Sequence, residues 1–209
     1  MSVLLDPRVF PGYNDLPYEN DVEPDYYTQN HRGVFEPRRH WCFMGEIVDD
    51  THSDSAFLRH RMNVRDRDGA VIPVFFYLDA DIRDTFDATV LKNGNTLFAR
   101  YAQQHSFMDG SEGLRLEEPE LFRVVPFAME AILDAYKEGD GWAQDGKVCR
   151  KCEAKATHRC GKCKKAFYCT RECQTDHWKA HRPTCKILTA VGPVTALDHT
   201  RFTDFVSFT

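Results

Sequence analysis

No run of apolar residues in this chain approaches the about 20 needed to cross a bilayer as a helix, and no apolar segment of leader type follows Met1. The expectation is an intracellular protein, nuclear and/or cytoplasmic, with no membrane partner. Cysteine is also scarce over most of the length: of eight, only Cys42 lies outside residues 149–185. That clustering, without a secretory leader, argues against a disulfide framework. Cations are sparse outside residues 147–185, with sixteen Lys/Arg against twenty-nine Asp/Glu, a net −13. Residues 147–185 reverse this with eleven against three, or +8. Counting seven thiolates and two Zn2+ ions leaves that segment near +5. With 209 residues, 42% hydrophobic and 28% charged, the composition describes one ordinary soluble domain plus a small metal-stapled one.

The cysteine-rich stretch holds four ligand pairs: Cys149 with Cys152, Cys160 with Cys163, Cys169 with Cys173, and His181 with Cys185. As spacing this is C-x2-C-x7-C-x2-C-x5-C-x3-C-x7-H-x3-C. Two intervening residues turn both sulfurs inward on a tight knuckle, and three place the ligands one helical turn apart on one face. Four chelating pairs make two tetrahedral sites, one of four thiolates and one of three thiolates plus an imidazole, which is the donor chemistry of closed structural zinc. Iron–sulfur ligation would leave His181 unexplained. His177, four residues from both Cys173 and His181, competes with His181 as a ligand. Spacing alone does not decide whether the pairs combine sequentially or interleave, since both give the same two donor sets by type.

This pattern resembles the MYND-type zinc finger, over residues 149–185. The resemblance implies interleaving: Cys149, Cys152, Cys169 and Cys173 on one zinc, and Cys160, Cys163, His181 and Cys185 on the other. It also implies a groove beside the closing helix that takes short Pro-containing peptides, with Gln174 and Trp178 as the peptide-binding pair. Gly161 departs from the pattern, standing where some members carry a small hydroxyl residue. Members that methylate lysine carry a separate SET domain. Residues 35–126 look too short for one and show no cofactor motif, so neither catalysis nor a small-molecule substrate is expected.

The fold class read from the chain is α+β, a small five-stranded OB-like β-barrel followed by the two-zinc finger. Residues 1–34 form an extended acidic, Pro-rich arm whose tyrosines, Tyr13, Tyr18, Tyr26 and Tyr27, argue against pure disorder. Residues 35–126 form the barrel. Strands are expected at His40–Val48, Ala56–Val64, Val71–Leu78 and Thr96–Phe107, with a last one through Leu114, Leu116, Leu121 and Val125, interrupted at Pro119. Asp68-Gly69 supplies the hairpin turn between the second and third, and a short helix is expected at Asp81–Asp87. This order of three strands, helix and two strands resembles an OB-fold. Residues 127–146 form a helix and a Gly-rich hinge, with the stripe Met129, Ile132, Leu133 and Tyr136 packed on the barrel and a stop at Gly139. Residues 147–185 are the finger, with Thr170 capping a helix Arg171–Lys179 and Phe167, Tyr168 and Ala156 as its small cluster. Residues 186–209 are a C-terminal tail, read as a strap between the domains.

The function expected is an interaction adaptor that recruits a protein partner through a Pro-rich motif. The alternative is single-stranded nucleic-acid binding by the barrel with the basic finger, using Arg59, Arg61, Arg65 and Arg67 near Phe57 and Phe43. His105, Ser106 and Asp109 lie close in sequence, but a serine beside a histidine in a loop is usually only a turn.

Overall fold

The computed structural model describes residues 3–49, 53–54, 59–79, 87–144 and 147–208. The chain forms two compact units, Asp6–Met129 with Leu197–Thr209, and Met1–Leu5 with Glu130–Ala196. The first holds a mixed sheet built from β3 (Cys42–Asp49), β4 (Ser53–Asp54), β5 (Arg59–Asp66), β6 (Val71–Phe76), β7 (Thr96–Arg100), β8 (Gln104–Ser106), β9 (Glu112–Leu116) and β10 (Phe122–Val125), preceded by a hairpin of β1 (Tyr27–Gln29) and β2 (Phe35–Pro37). The order is β10-β7-β3-β5-β6-β9-β8, with β4 beside β5 and only β6 and β9 running parallel among these pairs.

Among the described residues the sheet has eight strands and its ladder stays open, where a five-stranded barrel was expected. Ser53–Asp54 adds β4 beside β5, and two breaks in the chain supply the other two extra strands. Tyr101 takes a left-handed φ of 56° and splits the expected strand Thr96–Phe107 into β7 and β8. Pro119 opens a 3-10 turn, Pro119–Leu121, that separates β9 from β10. The sheet must nonetheless curl: laid flat, β9 and β10 would stand five strand spacings or about 24 Å apart, whereas the link from Leu116 to Phe122 reaches only about 20 Å.

Period-two burial follows the pleat. Ile72, Val74 and Phe76 point into the core while Val71, Pro73 and Phe75 face outward, so β6 is buried on one face where its unbroken apolar run suggested two. Gly69 turns β5 into β6 with φ 89°. At Gly113 a Cβ would sit 2.3 Å from the Pro73 carbonyl oxygen, so only glycine lets β9 approach β6 this closely. The core gathers Trp41, Phe43, Ile47, Met62, Val64, Leu97, Leu114 and Phe122 with Tyr13, Leu16 and Tyr26 from the N-terminal arm. The short helix expected at Asp81–Asp87 lies, apart from Asp87, outside the described residues.

The arm packs on the sheet in place of extending from it. Buried Asp66 accepts hydrogen bonds from the amides of Tyr13 at 2.7 Å, Asp68 at 2.9 Å and Ala70 at 2.8 Å, tying the arm to the β5–β6 turn. Gln104 adds a bond from Nε2 to the Leu16 carbonyl at 2.7 Å. The C-terminal segment also lies on this unit. Arg100 Nη1 donates to the carbonyls of Val206 and Ser207, each at 2.8 Å, and its guanidinium stands 4.0 Å from the Phe208 ring centroid.

In the second unit, α1 (Met129–Gln144) runs past Gly139, the expected stop, and α2 (Arg171–Thr195) runs far beyond Lys179. The physical reason for the first is close helix packing: a Cβ on Gly139 would lie 3.2 Å from Leu188 Cδ1 of α2. The buried stripe of α1 is therefore Ile132, Ala135, Tyr136 and Gly139, and it meets α2, with Tyr136 Oη 2.8 Å from Thr195 Oγ1.

Asp66→Ala removes three charge-assisted bonds and should cost the sheet unit about 3 kcal/mol. Urea unfolding followed by Trp41 fluorescence checks this; a loss under about 0.5 kcal/mol would show that the arm is held by apolar contacts alone.

Candidate metal centre

The finger is built from two knuckles, a two-residue ladder and the first turns of α2. β11 (His158–Arg159) pairs antiparallel with β12 (Phe167–Tyr168), placing His158 opposite Tyr168 and Arg159 opposite Phe167. Thr170 caps α2, its Oγ1 accepting from the Cys173 amide at 3.3 Å. The cap orients the first helical turn so that Cys169 and Cys173 face one site, while His181 and Cys185 face the other from further along α2.

The ligand atoms fall into the two interleaved groups, Cys149, Cys152, Cys169 and Cys173, and Cys160, Cys163, His181 and Cys185, with all atoms of a group within 4.8 Å of one another. A zinc ion bonded tetrahedrally at about 2.3 Å requires neighbouring sulfurs about 3.8 Å apart. Observed separations match: 3.5 Å for Cys152 to Cys169, 3.5 Å for Cys169 to Cys173 and 3.8 Å for Cys152 to Cys173. In the second group Cys160 and Cys185 sulfurs stand 3.8 Å apart, and Cys163 Sγ lies 3.7 Å from His181 Nε2. All eight cysteines are free thiols.

The electrostatics call for a cation at both places. Burial would raise the Cys149 thiol, but hydrogen bonds from the backbone of Cys169, Lys151 and Cys152 outweigh it and bring it down to about 6. Cys169 is pushed up to about 12 through its contacts with Cys173 and Cys152. In the buried set, Cys160 is lowered by the amides of its knuckle against the effect of burial, while burial and the neighbouring sulfurs push Cys185 up to about 12. Four sulfurs this close cannot all ionise unless a positive ion sits among them. The donor sets thus fit two structural zinc ions, with no position left open for water.

His181 is the imidazole ligand, and His177 is excluded: His177 Nδ1 is 3.1 Å from Tyr168 Oη and joins neither group. The Nδ1 of His181 has no hydrogen-bond partner among the described residues. Its ring is oriented by aromatic neighbours, Trp142 at 5.5 Å, Tyr168 at 6.0 Å and Trp178 at 6.0 Å between centroids. Trp142, placed by sequence in a hinge, is thus buried against a ligand. Ala156 and Tyr168 are buried as expected, whereas Phe167 is only half-buried.

Gln174 and Trp178 lie one helical turn apart on α2 and line a shallow groove with Arg171 and Thr175. Trp178 is half-buried, so its indole is available at the surface; Lys162 Nζ lies 6.0 Å from the ring. The residues proposed for nucleic acid fare differently. Phe43 is wholly buried in the sheet core, and Phe57 and the Arg59 side chain lie outside the described residues. What the sheet assembles is another set on its outer face. The Arg61 guanidinium lies 4.9 Å from the Phe75 ring, Phe75 is 4.4 Å from Phe107, Phe107 stacks at 6.4 Å on Tyr77, and Arg115 lies 4.7 Å from Tyr77. Alternate outward positions in β6 were the available signal, hidden by the apolar character of the whole strand. His105 pairs with Glu19 and Asp109 caps Ser111, so His105, Ser106 and Asp109 form no relay.

The family model described as the MYND finger matches residues 149–185. Similar proteins include N-lysine methyltransferase SMYD2-B of Danio rerio, 43% identical over 49 residues, covering 22% of this chain and 11% of that protein. Zinc finger MYND domain-containing protein 10 homolog of Drosophila melanogaster is 42% identical over 52 residues, 25% of this chain and 11% of the relative. The chain thus spans about a tenth of the length of these relatives. Among solved structures, Schizosaccharomyces pombe Pot1pC bound to ssDNA gives a TM-score of 0.30 at 13% identity, covering 44% of this chain and 81% of that one. The S. pombe Stn1-ten1 complex gives 0.31 at 19%, covering 58% and 88%. Likenesses at this level carry no argument.

A Cys152→Ser variant should retain one zinc equivalent of two, and Cys160→Ser should retain the other. Because the Cys160 group is fully buried and Cys152 is exposed, a chelator should strip the Cys149 group first. Zinc release followed with a colorimetric indicator tests this, and a single uniform phase or fewer than two equivalents in the wild type would contradict it.

Proposed function

We infer that residues 149–185, which match the MYND finger, serve as a zinc-binding interaction module. We propose that this finger recruits short Pro-containing peptides through the groove of Gln174 and Trp178, and that the protein acts as an adaptor rather than an enzyme. The observation that carries the reading is the placement of Trp178. It is half-buried and lines a groove, with its ring centroid 6.0 Å from that of the zinc-ligand His181, so the indole stands between the closed zinc site and the surface. Proline rings stack on such a surface in a polyproline II ligand, and the Gln174 amide one turn away can bond the ligand backbone. Trp178→Ala should keep both zinc equivalents while weakening Pro-rich peptide binding by about 30-fold or more, the usual scale for a central tryptophan anchor. A peptide array bound equally by wild type and variant would remove the groove assignment.

A second reading rests on the outer face of the sheet. We infer an OB-like arrangement from the parallel β6–β9 pair and the curl, with Arg61, Phe75, Phe107, Tyr77 and Arg115 as a stacking platform for single-stranded nucleic acid. It ranks second because Arg115 is paired with Glu117, which cancels charge that phosphates need. Fluorescence titration with single-stranded oligonucleotides should show salt-dependent binding that Phe107→Ala weakens. Absence of such binding sinks this reading.

A further inference from the structure

The finger presents a second cleft that shares no residue with the Gln174–Trp178 groove. It measures about 560 Å³ and is lined by Lys147, Lys155, Ala156, Thr157, Arg159 and Phe167. Strand register, which spacing in the chain does not reveal, brings these residues together. Val148 bridges Lys155, and the Ala156 amide donates to the Lys147 carbonyl at 2.6 Å, so two lysines eight positions apart meet at one end. Arg159 lies directly across the ladder from Phe167 and supplies a third cation and an aromatic surface. The floor is apolar, with Ala156 buried and Phe167 half-buried, while Lys147, Lys155 and Arg159 are exposed.

Like charges gathered round an apolar floor oppose one another unless something negative joins them. Residues 147–185 contain only three carboxylates, Glu153, Glu172 and Asp176, and among the described residues none forms an ion pair with these cations. Lys165 shows the contrast, since it is held by Asp140 at 3.2 Å. We propose that this cleft is a docking site for an acidic peptide segment in which carboxylates alternate with apolar side chains. The carboxylates meet Lys147, Lys155 and Arg159, and an apolar side chain covers Phe167 and Ala156. Charge complementarity selects the acid, and the floor selects a peptide over nucleic acid. Three phosphate contacts on a single strand would give a salt slope of only about −2 and weak binding, and one half-buried ring is a poor platform for successive bases. The site is independent of the Pro-peptide groove, so either can fail without the other.

The test is fluorescence anisotropy on the zinc-loaded full chain with a labelled twelve-residue peptide of repeated Asp-Leu. The same peptide with lysine in the acidic positions and a thymidine oligonucleotide of equal length serve as comparisons. The wild type should bind the acidic peptide, less tightly as salt rises, and should bind neither comparison as well. The triple variant Lys147→Glu, Lys155→Glu, Arg159→Glu should lose at least about tenfold in affinity (1.4 kcal/mol per tenfold), with both zinc equivalents retained. Trp178→Ala should bind the acidic peptide unchanged. Should the triple variant lose zinc, the milder pair Lys155→Gln, Arg159→Gln is read instead, with a loss of several-fold. Unchanged affinity in a zinc-replete variant, no binding by the wild type, or tighter binding of the oligonucleotide overturns the proposal.

Discussion

Neither ligand set of the finger can be completed by neighbours in the chain. Cys149 and Cys152 need Cys169 and Cys173, and Cys160 and Cys163 need His181 and Cys185. Each set therefore closes a loop through the other, and the two metal positions pin both knuckles, the β11–β12 ladder and the start of α2 in one step. A segment this short has little apolar surface to bury, so apparent zinc binding of about 10–16 kcal/mol supplies what the core lacks. Everything the surface offers follows from that pinning. Trp178 is held between the zinc site and the surface, Trp142 and Tyr168 are held against His181, and the cations of the second cleft are aligned by the ladder.

The sheet unit solves its own problem by other means. Its core is apolar and conventional, and both termini are bound onto it. Asp66 and Gln104 bind the N-terminal arm, and Arg100 binds the C-terminal segment, chiefly through backbone groups. His40 shows how tightly the latter region is tuned. Its Nδ1 lies 2.6 Å from Tyr101 Oη, which itself accepts from the Val206 amide at 3.1 Å. Burial and then the nearby Arg100 hold this histidine below its ordinary pKa. Such a group contributes stability above about pH 6.5 that is lost as pH falls toward its folded value.

The finger also differs in charge from the rest of the chain, +8 over residues 147–185 before metal is counted against −13 over the remainder. Net charge alone does not distinguish a solvating surface from a recognition surface. Pairing does so here: the sheet's Arg115 is answered by Glu117, whereas Lys147, Lys155 and Arg159 have no ion-pair partner among the described residues.

Chelate spacing made the eight zinc ligands legible, and helix geometry made the cap at Thr170 so, because each depends on residues a few positions apart whose geometry a knuckle or helical turn dictates. The same local logic marked the Asp68-Gly69 turn and the break at Pro119. Errors arose where a distant partner decided the outcome. Gly139 reads as a helix stop until Leu188 packs against it, and Phe43 reads as a surface aromatic until the curled sheet encloses it. Sequence by itself determined the metal chemistry and its donor types. Only tertiary structure decided how the ligand pairs interleave, which faces of the strands meet water, and which cations share a cleft. Those are contacts between residues far apart in the chain, set by register and packing, and no local spacing encodes them.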